Sequence, residues 1–171
     1  MGRRTCRGVS AGGLWLMLAM CGCGDSGEIV NLGPFPKLPA NAGPMDADPP
    51  REFTVTKSGL KYRLLRKVLG TAPTQENVVT VHYQGWLDNG RVFDSSYSRG
   101  EPTSFPLTRV VAGWTEGLQL AREGGMIELE IPYQLGYGPE GKPPTIPPKA
   151  TLHFVVELLR VKPPDQRMDE N

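Results

Sequence analysis

The residues of this chain best suited to chemistry are aromatic, and they fall in short separated blocks. Thr80-Val81-His82-Tyr83-Gln84-Gly85-Trp86 is followed across a turn by Val92-Phe93-Asp94-Ser95-Ser96, and further on by Gly113-Trp114 and Tyr137-Gly138. A fold that gathered Tyr83, Phe93, Trp114 and Tyr137 would make one concave apolar wall with a single acid, Asp94, at its rim. Such a wall suits an apolar ring, and a proline ring is the best candidate.

The apparatus of covalent and metal chemistry is missing from the pattern. The two histidines, His82 and His153, each stand alone on an expected strand, and the three cysteines, Cys6, Cys21 and Cys23, all lie before the folded part. No carboxylate cluster or Cys/His spacing marks a metal site, so neither a metal nor a cofactor is expected. No serine sits in a nucleophile-elbow pattern, which leaves a hydrolytic triad unsupported. A net charge of +1 over 171 residues gives no basic excess to attract nucleic acid.

The elements that must position the aromatics read mostly at period two. Val79, Val81 and Tyr83 alternate with Thr80, His82 and Gln84. Ile127, Leu129 and Ile131 alternate with Glu128 and Glu130, and Leu152, Phe154, Val156 and Leu158 alternate with Thr151, His153, Val155 and Glu157. Each predicts a strand with one buried and one largely wet face, as in an antiparallel sheet. Residues 60–69 predict a further strand, and Asp88-Asn89-Gly90 a tight hairpin turn. One segment switches period: Trp114, Leu118 and Ala121 fall at i, i+4 and i+7, with Glu116 in the expected first turn and Gly124-Gly125 as the stop. A helix of about nine residues cannot stand alone and must pack on the sheet. The fold class expected is α+β, an antiparallel sheet curled around one short helix.

Residues 1–23 read as an export signal: Arg3, Arg4 and Arg7, then Leu14 to Met20 as a short apolar run, then Cys21-Gly22-Cys23. A cysteine directly after the apolar run predicts lipidation, at Cys23 with Gly22 before it, or alternatively at Cys21. Residues 24–51 contain repeated Gly, Asn and Ala and, by residue 50, six prolines, and are expected to be a disordered tether. A coil of roughly 27 residues has a root-mean-square span on the order of 30 Å. Residues 52–162 form the expected domain and 163–171 a polar tail. With no dimerisation segment visible, a monomer is expected.

Taken together, Val81-His82-Tyr83-Gln84-Gly85, Phe93-Asp94-Ser95-Ser96, Gly113-Trp114-Thr115-Glu116-Gly117, Leu135-Gly136-Tyr137-Gly138 and the run from Ile146 to Leu159 resemble the FKBP-type peptidyl-prolyl cis-trans isomerases, in order and in spacing. The resemblance covers about residues 59–161 and implies rotamase activity on proline-containing polypeptides; with the export signal and lipid anchor, these are expected to be exported chains met in the cell envelope, facing the periplasm or the cell surface. It implies a pocket with Trp114 as floor, Tyr83, Phe93, Val110, Val111 and Phe154 as walls, Asp94 at the polar rim, and the Tyr137 hydroxyl donating to the substrate carbonyl. Ile146 would lie on an overhanging loop, and macrolide-type immunophilin ligands could enter the same pocket. Thr103 stands where many relatives carry an aromatic, and Lys142-Pro143-Pro144 replaces a commoner small-residue stretch.

Each of these side chains also has a plainer reading. Trp114 could be ordinary core, Tyr83 ordinary packing, and Asp94 a turn residue capping backbone amides. In functional terms the alternative to an isomerase is a non-catalytic binding or chaperone module, anchored in the envelope, that holds proline-containing segments.

Overall fold

The computed structural model describes residues 29–31 and 35–164. The expected signal, both candidate lipidation cysteines and all but the first residues of the polar tail lie outside that range.

Among the described residues eight antiparallel strands form one sheet in the order β1-β2-β3-β7-β8-β4-β5, with β6 also paired to β4. The strands are β1 (Ile29–Asn31), β2 (Glu52–Val55), β3 (Lys61–Arg66), β4 (Val78–Leu87), β5 (Val92–Ser95), β6 (Thr103–Pro106), β7 (Met126–Ile131) and β8 (Leu152–Lys162). The three strands read from alternation are the central ones. β4 pairs with β8 along its whole length, from Val78 opposite Lys162 to Leu87 opposite Leu152. The Asp88-Asn89-Gly90 turn is present, with Gly90 at φ 79° and its N–H donating to the Leu87 carbonyl. β5 and β6 then share the remaining edge of β4, separated by helix α1 (Ser96–Arg99). Neither β6 nor α1 carries a period in the sequence, because four residues are too few to show one.

Helix α2 (Ala112–Leu118) lies across the inner face. It starts two residues before Trp114, so Glu116 is not in its first turn and instead accepts a hydrogen bond from the Ser58 hydroxyl at 2.7 Å. Gly113 and Gly117 fall one helical turn apart on the face toward β7. A Cβ at either would sit within 2.5 Å of Ile131 or 2.7 Å of Leu129, so only glycine lets this helix approach so closely. Leu60, Val79, Val81, Leu118, Leu129 and Leu158 close the core beneath it, all fully buried.

The outer face of the sheet is not wet. Phe35, Leu38, Ala42 and Met45 pack over Leu65, Met126, Val155 and Trp86, and Gly43, Pro44 and Asp46 hydrogen-bond to Glu157, Arg66, Leu65 and Lys67. Residues 35–46 therefore form a strap laid on the domain, where composition had predicted a coil. Glu128 and Glu157, expected in water, are buried at 6% and 7% exposure. Their charges are met from β3: Arg63 lies directly across from Glu128 at 2.6 Å, and Arg66 reaches Glu157 at 2.7 Å. The Arg63 guanidinium is further stacked between the rings of Phe35 and Phe53.

Candidate active site

On the inner face a cavity of about 510 Å³ opens between β4, β5, β6, α2 and the loop before β8. Tyr83, Phe93, Asp94, Val110, Val111, Trp114, Tyr137 and Phe154 all line it. Those eight expected site residues, drawn from positions 83 to 154, are brought together. Phe105, Arg109 and Lys142 line it as well and were not anticipated.

The aromatic wall is a set of perpendicular contacts. Trp114 meets Tyr83 at 5.2 Å and 88°, Phe105 at 5.5 Å and 89°, and Phe154 at 5.2 Å and 77°, while Phe93 meets Phe154 at 5.5 Å and 90°. Edge-to-face packing suits the ring quadrupoles and fixes each ring by its neighbours. The wall depends on Gly85 in β4: a Cβ there would lie 2.6 Å from both Phe93 and Phe154. Trp114 is 4% exposed, and its indole N–H has no hydrogen-bond partner. The floor is thus largely shielded from solvent.

At the rim, three polar side chains neutralise one another. The Tyr83 hydroxyl donates to Asp94 Oδ2 at 2.5 Å, and Arg99 donates to Asp94 Oδ1 at 2.5 Å and to the Tyr83 hydroxyl oxygen at 3.0 Å. Partial burial alone would raise the Asp94 pKa, but the hydrogen bonds from Tyr83 and Arg99 outweigh it and hold the carboxyl below its usual range. Burial, and then the Asp94 hydrogen bond, push the Tyr83 phenol up. Asp94 is therefore an ionised acceptor already engaged, unsuited to carry a proton at neutral pH. Arg99 has no signal of its own in the sequence, since it reaches Asp94 only because α1 turns the chain between them.

Ile146 differs from expectation. It is 3% exposed, belongs to the core cluster and does not line the cavity. Its backbone pairs both ways with Lys142, which tucks the Ile146 side chain inward and leaves Lys142 over the cavity, 5.4 Å from the Tyr137 ring. The loop thus presents a cation where an aliphatic contact was expected. Neither histidine enters the site. His82 stacks on Tyr97 at 4.7 Å, and His153 stacks on Trp86 and contacts Asp88. Among the described residues no group of His, Cys, Asp or Glu could hold a metal ion.

Fold and cavity define a class: an antiparallel sheet wrapped on a short helix, with a cavity lined mainly by aromatic and aliphatic side chains. Residues 70–159 match the family model described as FKBP-type peptidyl-prolyl cis-trans isomerase, more than half of the chain, and the protein belongs to that family. A probable isomerase of this type from Haemophilus influenzae is 45% identical over 68% of this chain and 48% of its own length. FkpA of Escherichia coli is 50% identical over 63% of this chain and 40% of its own. The crystal structure of FkpA from Escherichia coli superposes with a TM-score of 0.64 at 48% identity, covering 66% of this chain and 53% of that one. A peptidyl-prolyl cis-trans isomerase from Pseudomonas syringae gives a TM-score of 0.61 at 34% identity, covering 64% and 80%. The chain thus spans about half or less of the length of the first relatives it matches.

Proposed function

We propose that this protein is a peptidyl-prolyl cis-trans isomerase that lowers the X-Pro rotation barrier by taking the imide into the cavity beneath Asp94 and Tyr137. The observation that carries this reading is the buried aromatic floor: Trp114, boxed by Tyr83, Phe105 and Phe154.

Rotation about X-Pro meets a barrier near 18–20 kcal/mol because amide resonance keeps the bond planar. Resonance puts negative charge on oxygen and positive charge on nitrogen, so water favours the planar state over the twisted one. A dry aromatic cavity removes part of that preference, and a shape that fits the twisted imide lowers the barrier without a covalent step. Trp114, Tyr83, Phe93, Val110, Val111 and Phe154 supply shape and dehydration. The Tyr137 hydroxyl donates to the substrate carbonyl, and Asp94, fixed by Tyr83 and Arg99, orients the entering chain.

The clients are proline-containing polypeptides, and macrolide-type ligands compete for the same cavity. Export by residues 1–23, lipidation at Cys23 or alternatively Cys21, an envelope location and a monomeric state complete the reading. It rests on the sequence pattern, and no helix of the described residues is long and apolar enough to cross a membrane. With β1 beginning at Ile29, residues 24–28 separate Cys23 from the first strand, a chain length of at most about 20 Å.

A protease-coupled assay on a short X-Pro peptide tests the activity. Phe93→Ala should lose most of it, about 30-fold or more, and Tyr137→Phe only about threefold, since shape outweighs one hydrogen bond. A wild-type protein that binds the peptide and leaves its exchange rate unchanged is a binding module instead. Full activity in Phe93→Ala would mean the imide sits elsewhere.

A further inference from the structure

Helix α1 joins the two faces of the sheet. It is four residues long, well short of what a helix needs to hold itself, so its orientation comes from tertiary anchors. Its last residue, Arg99, reaches inward to Asp94 and Tyr83 at the cavity rim. Its second, Tyr97, points the other way, to the outer face, where it is 8% exposed. There the Tyr97 hydroxyl donates to Glu157 Oε2 at 3.0 Å, and its ring stacks on His82. Glu157 is itself held at three points: by Tyr97, by Arg66 at 2.7 Å, and by the Gly43 N–H of the strap at 3.2 Å. A Cβ at Gly43 would collide with Glu157 at 2.3 Å, so strap and carboxylate are in close fit.

We propose that Tyr97 is a positioning residue for the isomerase site: the Glu157–Tyr97 hydrogen bond fixes α1 and so aims Arg99 at Asp94 and Tyr83. This rests on the isomerase reading above and extends it to the opposite face of the sheet. Arg99 is nearly half exposed on a long flexible stem. Without a fixed backbone beneath it, the guanidinium spends part of its time in water, and Asp94 loses the donor that orients it. A second anchor, the Ser96 hydroxyl against His82 and the Tyr83 N–H, holds the first residue of α1, three positions before Arg99. The contacts run without a break from Gly43 of the strap through Glu157 and Tyr97 to Arg99 and Asp94.

A double-mutant cycle tests this, using Tyr97→Phe, which keeps the ring stack and removes only the hydroxyl, and Arg99→Met at an exposed position. On an X-Pro peptide, Tyr97→Phe should lower kcat/KM about fivefold and Arg99→Met about tenfold, with the double variant no worse than Arg99→Met alone. In the same proteins the Asp94 carboxyl, followed by NMR, should titrate at higher pH in Tyr97→Phe than in wild type. Losses that multiply in the double variant, or an unmoved Asp94 titration, overturn the inference. An inactive wild type would sink the isomerase reading, while the Asp94 titration would still decide whether Tyr97 governs the rim.

Discussion

The two faces of the sheet solve opposite problems. On the inner face, side chains from β4, β5, β6, α2 and β8 leave a hollow, and the rings around it are held by one another and by Gly85. On the outer face a strap from outside the sheet covers the apolar cluster of Leu65, Met126 and Val155, and the buried carboxylates each have an arginine from β3, Arg63 for Glu128 and Arg66 for Glu157. One face keeps a cavity and leaves the Trp114 N–H without a partner, while the other is covered by the strap and satisfies its buried carboxylates. Stability is therefore expected to reside disproportionately outside and function inside, with α1 as the place where they meet.

The largest test of that division removes the strap. A chain starting at residue 48 loses, besides the edge strand β1, the contacts of Phe35, Leu38 and Met45 and the bonds from Gly43, Pro44 and Asp46. Three partly buried apolar side chains at about 1 kcal/mol each, plus the hydrogen bonds, amount to about 4 kcal/mol. In a domain of this size thermal unfolding should fall by roughly 20 °C. Activity at 10 °C should stay within about threefold of the full chain. An unchanged Tm would show that the strap does not hold the outer face.

Next in size is the inner counterpart, Gly85→Ala. Its Cβ forces Phe93 and Phe154 apart, and overpacking of this kind costs about 1–3 kcal/mol. The rings bear on the cavity, so the assay should lose about tenfold in kcat/KM while Tm falls by only several degrees. Equal damage to both measurements would erase the distinction between the faces.

How much of this was legible in the sequence follows the same division. The central strands, the Asp88-Asn89-Gly90 turn and the Trp114 helix declare themselves by period and turn chemistry, and the cavity aromatics sit on those elements at fixed phase. The outer face does not declare itself. Phe35, Leu38 and Met45 are diluted among prolines and small residues, so averaged composition predicts a coil where three well-spaced anchors suffice. Glu128 and Glu157 look solvated because alternation is blind to what covers a face. The signal that could have found them is across strands: Lys61 and Arg63 on β3 stand directly opposite Glu130 and Glu128 on β7. Arg99 and Ile146 escaped because a four-residue helix and a loop held by a single backbone bridge decide where they point.

Acid should separate the outer charges from one another. Burial works to raise the Glu157 pKa, but the hydrogen bonds from Arg66, Gly43 and Tyr97 outweigh it and hold the carboxyl low. The folded value thus lies below the unfolded one, near 4.3, so the unfolded chain binds more protons on acidification. The stability from Glu157 is complete above the unfolded pKa and lost as pH falls through the folded value. Glu128 runs the other way: burial pushes its pKa up against the pull of Arg63, so its charged form is a cost that acid relieves. Urea midpoints at pH 6.5 and 3.5 should show wild type losing about 1 kcal/mol more than Glu157→Gln on acidification. Equal acid sensitivity in the two proteins would remove Glu157 from the account.

The smallest effect concerns the rim. Arg99 is spent on Asp94, whereas Arg109 and Lys142 line the cavity with no carboxylate paired to either among the described residues. The mouth therefore carries uncompensated positive charge, in contrast to the paired charges beneath the strap. Exposed cations act through the local field, which salt screens. A peptide with Glu before proline should accordingly show a KM that rises about threefold between 0.05 and 0.5 M salt, and a Leu-Pro peptide should show almost none of that rise. Lys142→Ala should remove about half of the salt dependence without changing the Leu-Pro rate. The same salt response from both peptides would mean that the rim charges are too far from the substrate to select it.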